Sequence, residues 1–318
     1  MDAPIIFIHY GDSYYLKYTL QSAVLFNPGK QVILLGDETN AHYTHLGVEH
    51  YPFSQFSMGQ EIRVFDRVYM FIAGPEHHRK EWTRFVFRRW FHLYYFILEK
   101  GYRCFWTFDS DTLVLTDLAL QEEKFRDYDC TEQCSGICMN GLIMNVRVVK
   151  GYLDKINELF QRTPFLQNER TNFKVYKKYA FTEMKAYVMY REESGIRRLR
   201  LSTIIEGESF LDSICTTDEH RRFFQDDEYD IYPEKVWQLD VKKVYLCPDG
   251  NLFFRHTPSG QLVKMNTINM SWTPVWLLDA LLRHSRRKLR PPVSGKDSTA
   301  ALSLLDLRSI CTEKKDIS

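Results

Sequence analysis

The chain has 318 residues, 44% hydrophobic and 26% charged, the balance of a globular protein with one large domain or two small ones. Its 42 Lys and Arg stand against 41 Asp and Glu, and a net charge of +1 excludes the broad electrostatic attraction behind nucleic-acid binding. No apolar run reaches the roughly 20 residues of a membrane span, and MDAPIIFIHYGDS has no basic, cleavable leader, so the expected setting is the cytoplasm.

PIIFIHY reads as a short buried strand ending in a polar turn, and YLKYTLQSAVLF has helical spacing. QVILLGDE is a second strand of the same kind, followed by a long helix over Trp82 to Lys100 and the strand CFWTF. DYDCTEQC and GLIMNVRVV read as further strands, and GYLDKINELFQRT as an amphipathic helix. Strands alternating with helices predict an α/β sheet covered on both faces, with ligands at the carboxyl ends of its strands. HYGD, GDETN and DSD all fall at such ends.

Beyond Thr163 the alternation loosens. Lys174 to Arg200 is rich in Lys, Arg and Tyr, a mixture that suits either an acceptor groove or a plain helix surface. IIEGESFLDSI predicts a short helix, and VYLCPDGNLFFRHT a hairpin turning at D-G. From Arg286 the run RRKLRPPVSGKDSTAALS predicts a mobile basic tail, either simply solvated or in weak peripheral contact with the inner face of a membrane. Seven cysteines, an odd number, predict free thiols. Cys130, Cys134 and Cys138 recur every fourth residue, but the spacing fits no common zinc pattern and Gly136 interrupts any helix that would align them. They read as small residues leading into a strand.

The chemistry concentrates in CFWTFDSDTLVLTDL, where an apolar run delivers Asp109 and Asp111 and then resumes. Unpaired buried charge is costly, so such a pair implies a cation or a proton to handle. Residues two apart in extended backbone share a face, so both carboxylates can address one point. That arrangement suits Mn2+ or Mg2+, hard ions that take oxygen ligands and leave positions for phosphate.

The stretch RRWFHLYYFILEKGYRCFWTFDSDTLVLTDL resembles the GT-A glycosyltransferases, and is most similar to the retaining glycogenin-like and lipopolysaccharide galactosyl- and glucosyltransferase-like branch. In that family an Arg-bearing helix leads into a strand ending D-x-D, and MNGLIMNVRVV resembles its N-x-G strand beneath the donor sugar. The likeness runs over residues 84–149 and extends to the first strand and helix. It implies a Rossmann-like GT-A fold with a mostly parallel central sheet, spanning residues 1–285 as one catalytic domain. Residues 1–150 would be the donor half, 151–285 the acceptor half, and 286–318 the tail.

The resemblance also implies roles. Asp109 would contact ribose or metal, Asp111 would ligate the metal, and Ser110 would lie between them at the donor. His9, Tyr10 and Gly11 would bind base and ribose, with Asp37 at the end of the second strand and Asn140 and Gly141 under the sugar. Arg84 and Arg88, four apart on one helix face, would serve the donor or remain solvated. The family's third metal ligand lies in H-x-x-G-x-x-K. Here FFRHTPSGQLVKMN offers His256, Gly260 and, near the diphosphate, Lys264, at longer spacings than the family's. Glu208 and Asp212, four apart, would share one side of a helix turn near the reacting sugar. The function implied is metal-dependent transfer of a sugar, from a nucleotide-diphosphate donor such as a UDP-sugar, to a hydroxyl of a glycan, glycolipid or other acceptor with retention. The alternatives are an inverting enzyme with Glu208 or Asp212 as base, and a magnesium-dependent phosphohydrolase of the haloacid-dehalogenase type. FDSDTLV lacks one glycine of the hydrolase motif and follows earlier strands instead of opening the fold.

Overall fold

A computed structural model describes residues 3–216, 228–289 and 302–307. The chain divides into two compact units, Met1–Ser110 with Asp117–Leu201, and Asp111–Thr116 with Ser202–Ser318. The helices after residue 145 pack on the first sheet and so fall in unit 1.

Unit 1 begins with β1 (Ile5–Ile8), α1 (Leu16–Phe26), β2 (Val32–Gly36) and β3 (Glu49–Pro52). It continues through α2 (Gln60–Val68), α3 (Lys80–Lys100) and β4 (Phe105–Phe108), after which the short β5 (Thr112–Val114) belongs to unit 2. β6 (Cys130–Gln133), β7 (Cys138–Ile143), α4 (Val146–Gln161), α5 (Thr163–Val175), α6 (Glu183–Ser194) and β8 (Arg198–Arg200) complete unit 1. The sheet order is β3-β2-β1-β4-β7-β6-β8. Every neighbouring pair is parallel except the two that β7 makes, so β7 alone is reversed. The mostly parallel sheet predicted from the alternation is therefore present.

Burial explains the strand sequences. Every residue of β1, β2 and β4 is buried, which is why these strands read as continuous apolar runs instead of alternating ones. α3 packs Phe87, Trp90, Phe91 and Phe96 into the core and stops at Gly101, whose φ of 70° lets its N–H reach the last carbonyls. Phe87 and Phe91 join an aromatic cluster with Phe65, Phe160 and Phe181, with ring centroids 5.0 to 6.0 Å apart. Each such pair adds about 0.5–1.5 kcal/mol beyond its area.

Three expectations need correction. GLIMNVRVV is not one strand, because β7 ends at Ile143 and Asn145 caps α4 by accepting the Arg147 N–H at 3.0 Å. The buried face of Val149, Tyr152, Leu153 and Ile156 outweighs the β propensity of its valines. IIEGESFLDSI is not a helix: Glu206 and Gly207 take φ of 54° and 77°, and Glu208–Leu211 forms strand β9. The tail is ordered in part. Arg286–Leu289 continues the last helix as a 3₁₀ turn, and Ser303–Leu304 pairs in a sheet with Leu305 and Leu307 buried. The leucines of ALSLLDL supply the apolar surface that outweighs the polar composition before them; the rest of the expected tail, 290–301 and 308–318, lies outside the described residues.

Unit 2 centres on β14 (Leu262–Asn269), with β9 parallel along one edge. Along the other edge lie β13 (Leu252–Arg255), paired at Leu262 to Lys264, and β5, paired at Thr267 to Asn269. β12 (Tyr245–Leu246) and β15 (Ser303–Leu304) extend the sheet, β10 (Cys215–Thr216) and β11 (Asp240–Val241) form a separate pair, and α7 spans Val275–Ser285. The expected D-G hairpin joins β12 to β13. Gly250 holds φ of 96° there, and a Cβ would lie 2.8 Å from the Lys288 nitrogen. Among the described residues no helix is long and apolar enough to cross a membrane.

Candidate active site

In unit 1 the carboxyl ends of β1, β2 and β4 bring His9–Gly11, Asp37 and Asp109 to one edge of the sheet. Because β7 is reversed, its start lies at that same edge. The register Thr107↔Gly141 sets Asn140 beside the end of β4, and the Asn140 amide reaches Asp109 Oδ2 at 3.4 Å.

The turn after β1 is held from below. Asp37 Oδ2 accepts the Gly11 N–H at 2.6 Å and Oδ1 accepts the Thr39 N–H at 2.8 Å. Asn40 donates to the carbonyls of His9 and Gly11, at 3.0 Å each. Burial acts to raise the Asp37 pKa, but the hydrogen bonds from Thr39 and Gly11 outweigh it and leave the carboxyl below its usual range. Gly11 has φ of 82° and open space within 4 Å of where a Cβ would be, so a ligand can approach its backbone closely. Tyr10 is 66% exposed beside it. His9 is buried with Nδ1 2.8 Å from Ser110 Oγ, and burial lowers its pKa to about 4, leaving a neutral imidazole at neutral pH.

Sequence spacing singled out Arg84 and Arg88. Both end on the Asp66 carboxylate, at 2.9 and 3.2 Å. The arginine that meets Asp109 is Arg89, which donates to Asp109 Oδ1 at 2.9 Å and to Glu183 Oε1 at 3.2 Å. Burial disfavours the charged guanidinium, but Asp109 and Glu183 outweigh it and raise the Arg89 pKa further above its ordinary value. Burial pushes the Glu183 carboxyl up, with Arg89 opposing. One signal was available: Arg89 lies three residues after Val86 and four before Leu93, on the buried stripe of α3. Nothing local pointed to Glu183, which is 94 residues away. Gly141 is explained by packing. It has φ of 90°, and a Cβ would come within 2.3 Å of Leu201 Cδ1 and Thr131 Oγ1.

In unit 2, Asp111 enters β5 opposite the end of β14. Asn269 Nδ2 donates to Oδ1 and Ser271 Oγ to Oδ2, both at 2.8 Å, and the Met270 N–H donates to the Asp111 carbonyl at 2.9 Å. These bonds fix the direction of the carboxylate. The register Leu211↔Ile268 brings buried Asp212 to the same end of β14, on the edge opposite Asp111. Glu208 lies across from Lys264 instead, bonded to its ammonium at 2.6 Å and to Asn266 Nδ2 at 3.2 Å. The two acids expected on one helix turn are thus roughly 13 Å apart along a strand, at about 3.3 Å per residue. Lys264 is occupied by Glu208.

His256 is a further correction. It follows β13, with its N–H on the Gln261 carbonyl at 2.9 Å and Nδ1 2.8 Å from Ser259 Oγ. The eight residues of β14 separate that end of the sheet from Asp111. At about 3.3 Å per residue the separation is roughly 25 Å, too far for both to ligate one ion. Among the described residues no three His, Cys, Asp or Glu side chains gather as an ion site. Asp109 and Asp111 each present a carboxylate, the oxygen donor that a hard divalent cation takes. Two carboxylates complemented by substrate phosphate oxygens are an ordinary coordination for Mg2+.

No protein-family model matches the chain, and no curated protein matches it. Among solved structures, it is similar to mouse xyloside xylosyltransferase 1 in its apo form, at 8% identity and a TM-score of 0.44 over 64% of this chain and 86% of that one. It is also similar to the PaToxG glycosyltransferase, at 12% identity and a TM-score of 0.33 over 71% and 86% respectively. The functional reading rests on the site itself.

Proposed function

We propose that the chain is a glycosyltransferase of the GT-A type that works in the cytoplasm. It transfers a hexose from a nucleotide-diphosphate donor, with UDP-sugars the first candidates, to a hydroxyl of a glycan, glycolipid or other acceptor, with retention. The observation that carries this reading is the gathering, at one sheet edge, of an open glycine turn, Asp109 and Asn140 from three strand ends. The resemblance of the D-S-D strand to GT-A sequences supports it.

The residues divide the work. The turn His9–Gly11, braced by Asp37 and Asn40, offers an unhindered backbone at Gly11 to base and ribose. Arg89 holds Asp109, while Asn269 and Ser271 hold Asp111. A manganese or magnesium ion held by the two aspartates would neutralise the diphosphate and favour its departure. Asn140, beside Asp109, is positioned for the donor sugar. Asp212 is the carboxylate at Asp111's end of β14, suited to orient the acceptor hydroxyl or to stabilise positive charge at the anomeric carbon. Glu208, neutralised by Lys264, is assigned no catalytic role.

The test is nucleotide release from a panel of UDP- and GDP-sugars. One donor should be turned over with manganese, the activity should vanish with EDTA, and manganese should restore it. Transfer that survives chelation, or phosphate-ester hydrolysis with no sugar donor present, overturns the reading.

A further inference from the structure

The run KVYKKY at the end of α5 takes no part in the site, and it forms one face of unit 1 with the loop before α3. The Gly74 N–H donates to the Tyr179 carbonyl at 2.8 Å, and the Glu76 N–H to the Lys177 carbonyl at 2.9 Å. The two backbones are so close that a Cβ at Gly74 would lie 2.3 Å from the Lys177 carbonyl oxygen. His77 fastens the pair to α3, with Nδ1 3.1 Å from the Lys178 carbonyl oxygen and Nε2 3.1 Å from Thr83 Oγ1. The face is therefore assembled before any partner arrives.

Its charge is one-sided. Over residues 75–82 and 170–179, Arg79, Lys80, Arg170, Lys174, Lys177 and Lys178 are all exposed, against the acids Glu76 and Glu81. Among the described residues none of these six cations forms an ion pair, unlike Lys150, Arg126 and Arg197, which meet Asp154, Glu123 and Asp129. With a net charge of +1 the chain as a whole is nearly neutral, so the positive potential is local to this face. Among the cations stands Val175, at 76% the most exposed large hydrophobic side chain described, and Trp82 is 47% exposed at the start of α3.

We propose that this face docks on an anionic lipid bilayer, its cations on the headgroup phosphates and Val175 and Trp82 entering the acyl boundary. Charge alone would suit any polyanion, and Val175 decides between them. An aliphatic side chain has no π face for a base and no polar atom for an acidic glycan, whereas a bilayer supplies apolar cover directly beneath a layer of phosphates. An indole is at home at that same depth. Trp82 precedes Arg89 by seven residues, about 10 Å along α3, so the docked face lies near the arginine that holds Asp109. The inference stands apart from the sugar-transfer reading and does not need turnover to be tested.

The experiment is co-sedimentation of the full chain with phosphatidylcholine vesicles, with and without phosphatidylglycerol, at low and high salt. The chain should bind the anionic vesicles alone and leave them as salt rises. Lys177→Ala combined with Lys178→Ala should weaken the partition about 25-fold, near fivefold for each lysine. Val175→Ser should weaken it about tenfold, and Val175→Leu should keep it. All three side chains are exposed, so these variants should melt with the parent. Arg126→Ala combined with Lys150→Ala removes the same net charge from paired positions and should leave binding intact. Equal binding to neutral vesicles, full binding by the double lysine variant or by Val175→Ser, or loss of binding in the Arg126 and Lys150 control each overturns the proposal. So does loss of binding in Arg286→Ala with Arg287→Ala, which would assign the contact to the other end of the chain. Capture by heparin or duplex DNA without any binding to vesicles would assign the face to a soluble polyanion and overturn it as well.

Discussion

Asp109 and Asp111 are separated by one serine and held in contrasting ways. Asp109 lies in unit 1, where the Arg89 guanidinium bridges it to buried Glu183, so its charge is part of an ionic network inside the fold. Asp111 lies in unit 2, where an amide and a hydroxyl orient both of its oxygens. The first arrangement ties the carboxylate to stability, because buried charges depend on one another. The second fixes the direction of the carboxylate, as an ion ligand requires.

The largest expected effect tests Asp111. Asp111→Asn should lower the rate of nucleotide release about a thousandfold, equivalent to about 4 kcal/mol of transition-state stabilisation. A thermal melt of the same variant should barely move, and a melt as damaged as that of an Arg89 variant would erase the contrast. Arg89→Met should act the other way. It strands Glu183 and Asp109 without their cation, which costs about 3–5 kcal/mol of stability. Urea unfolding measures this, and a loss below about 1 kcal/mol would mean that the network contributes little.

A titration sharpens the account of unit 1. Burial lowers the pKa of His9 to about 4, and burial reinforced by the nearby Arg88 charge lowers that of His92 to about 4. Between pH 6.5 and 4 the unfolded chain binds protons that these buried imidazoles refuse, so stability falls as pH drops through that window and levels off below it. Each histidine contributes on the order of 3 kcal/mol to this slope. Unfolding midpoints of His92→Gln across the window should show a shallower fall than the parent, and identical slopes would rule out the buried neutral imidazole. The smallest effect is expected at Gly141→Ala. The added methyl must displace Leu201 and Thr131 and hold a left-handed φ, for about 2 kcal/mol of lost stability by calorimetry. A variant as stable as the parent would show that the two side chains yield freely.

Strand and helix identity in unit 1 was legible because each signal is local. PIIFIHY, QVILLGDE and CFWTF are continuous apolar runs, and such runs become parallel strands buried on both faces. The misreadings came where a longer-range preference won. Val146 to Val149 looks extended until the buried face of α4 is taken as a whole, and IIEGESFLDSI looks helical until β14 offers it a partner. The arginines show the same limit. Arg84 and Arg88 share a face by spacing, but only α2's position puts Asp66 in front of them and leaves Arg89 for Asp109.

By itself the sequence determined the buried strands of the first sheet, the polar turns at their ends and the placement of two aspartates after β4. These follow from hydrophobic run length and chain order, which are properties of neighbouring residues. Tertiary structure decided the partners. It reversed β7 so that Asn140 reaches Asp109, carried Asn269 across 158 residues to Asp111, and set a whole strand between Asp111 and His256. Register between distant strands makes those choices, because it depends on how complete surfaces fit together and leaves no trace in local spacing.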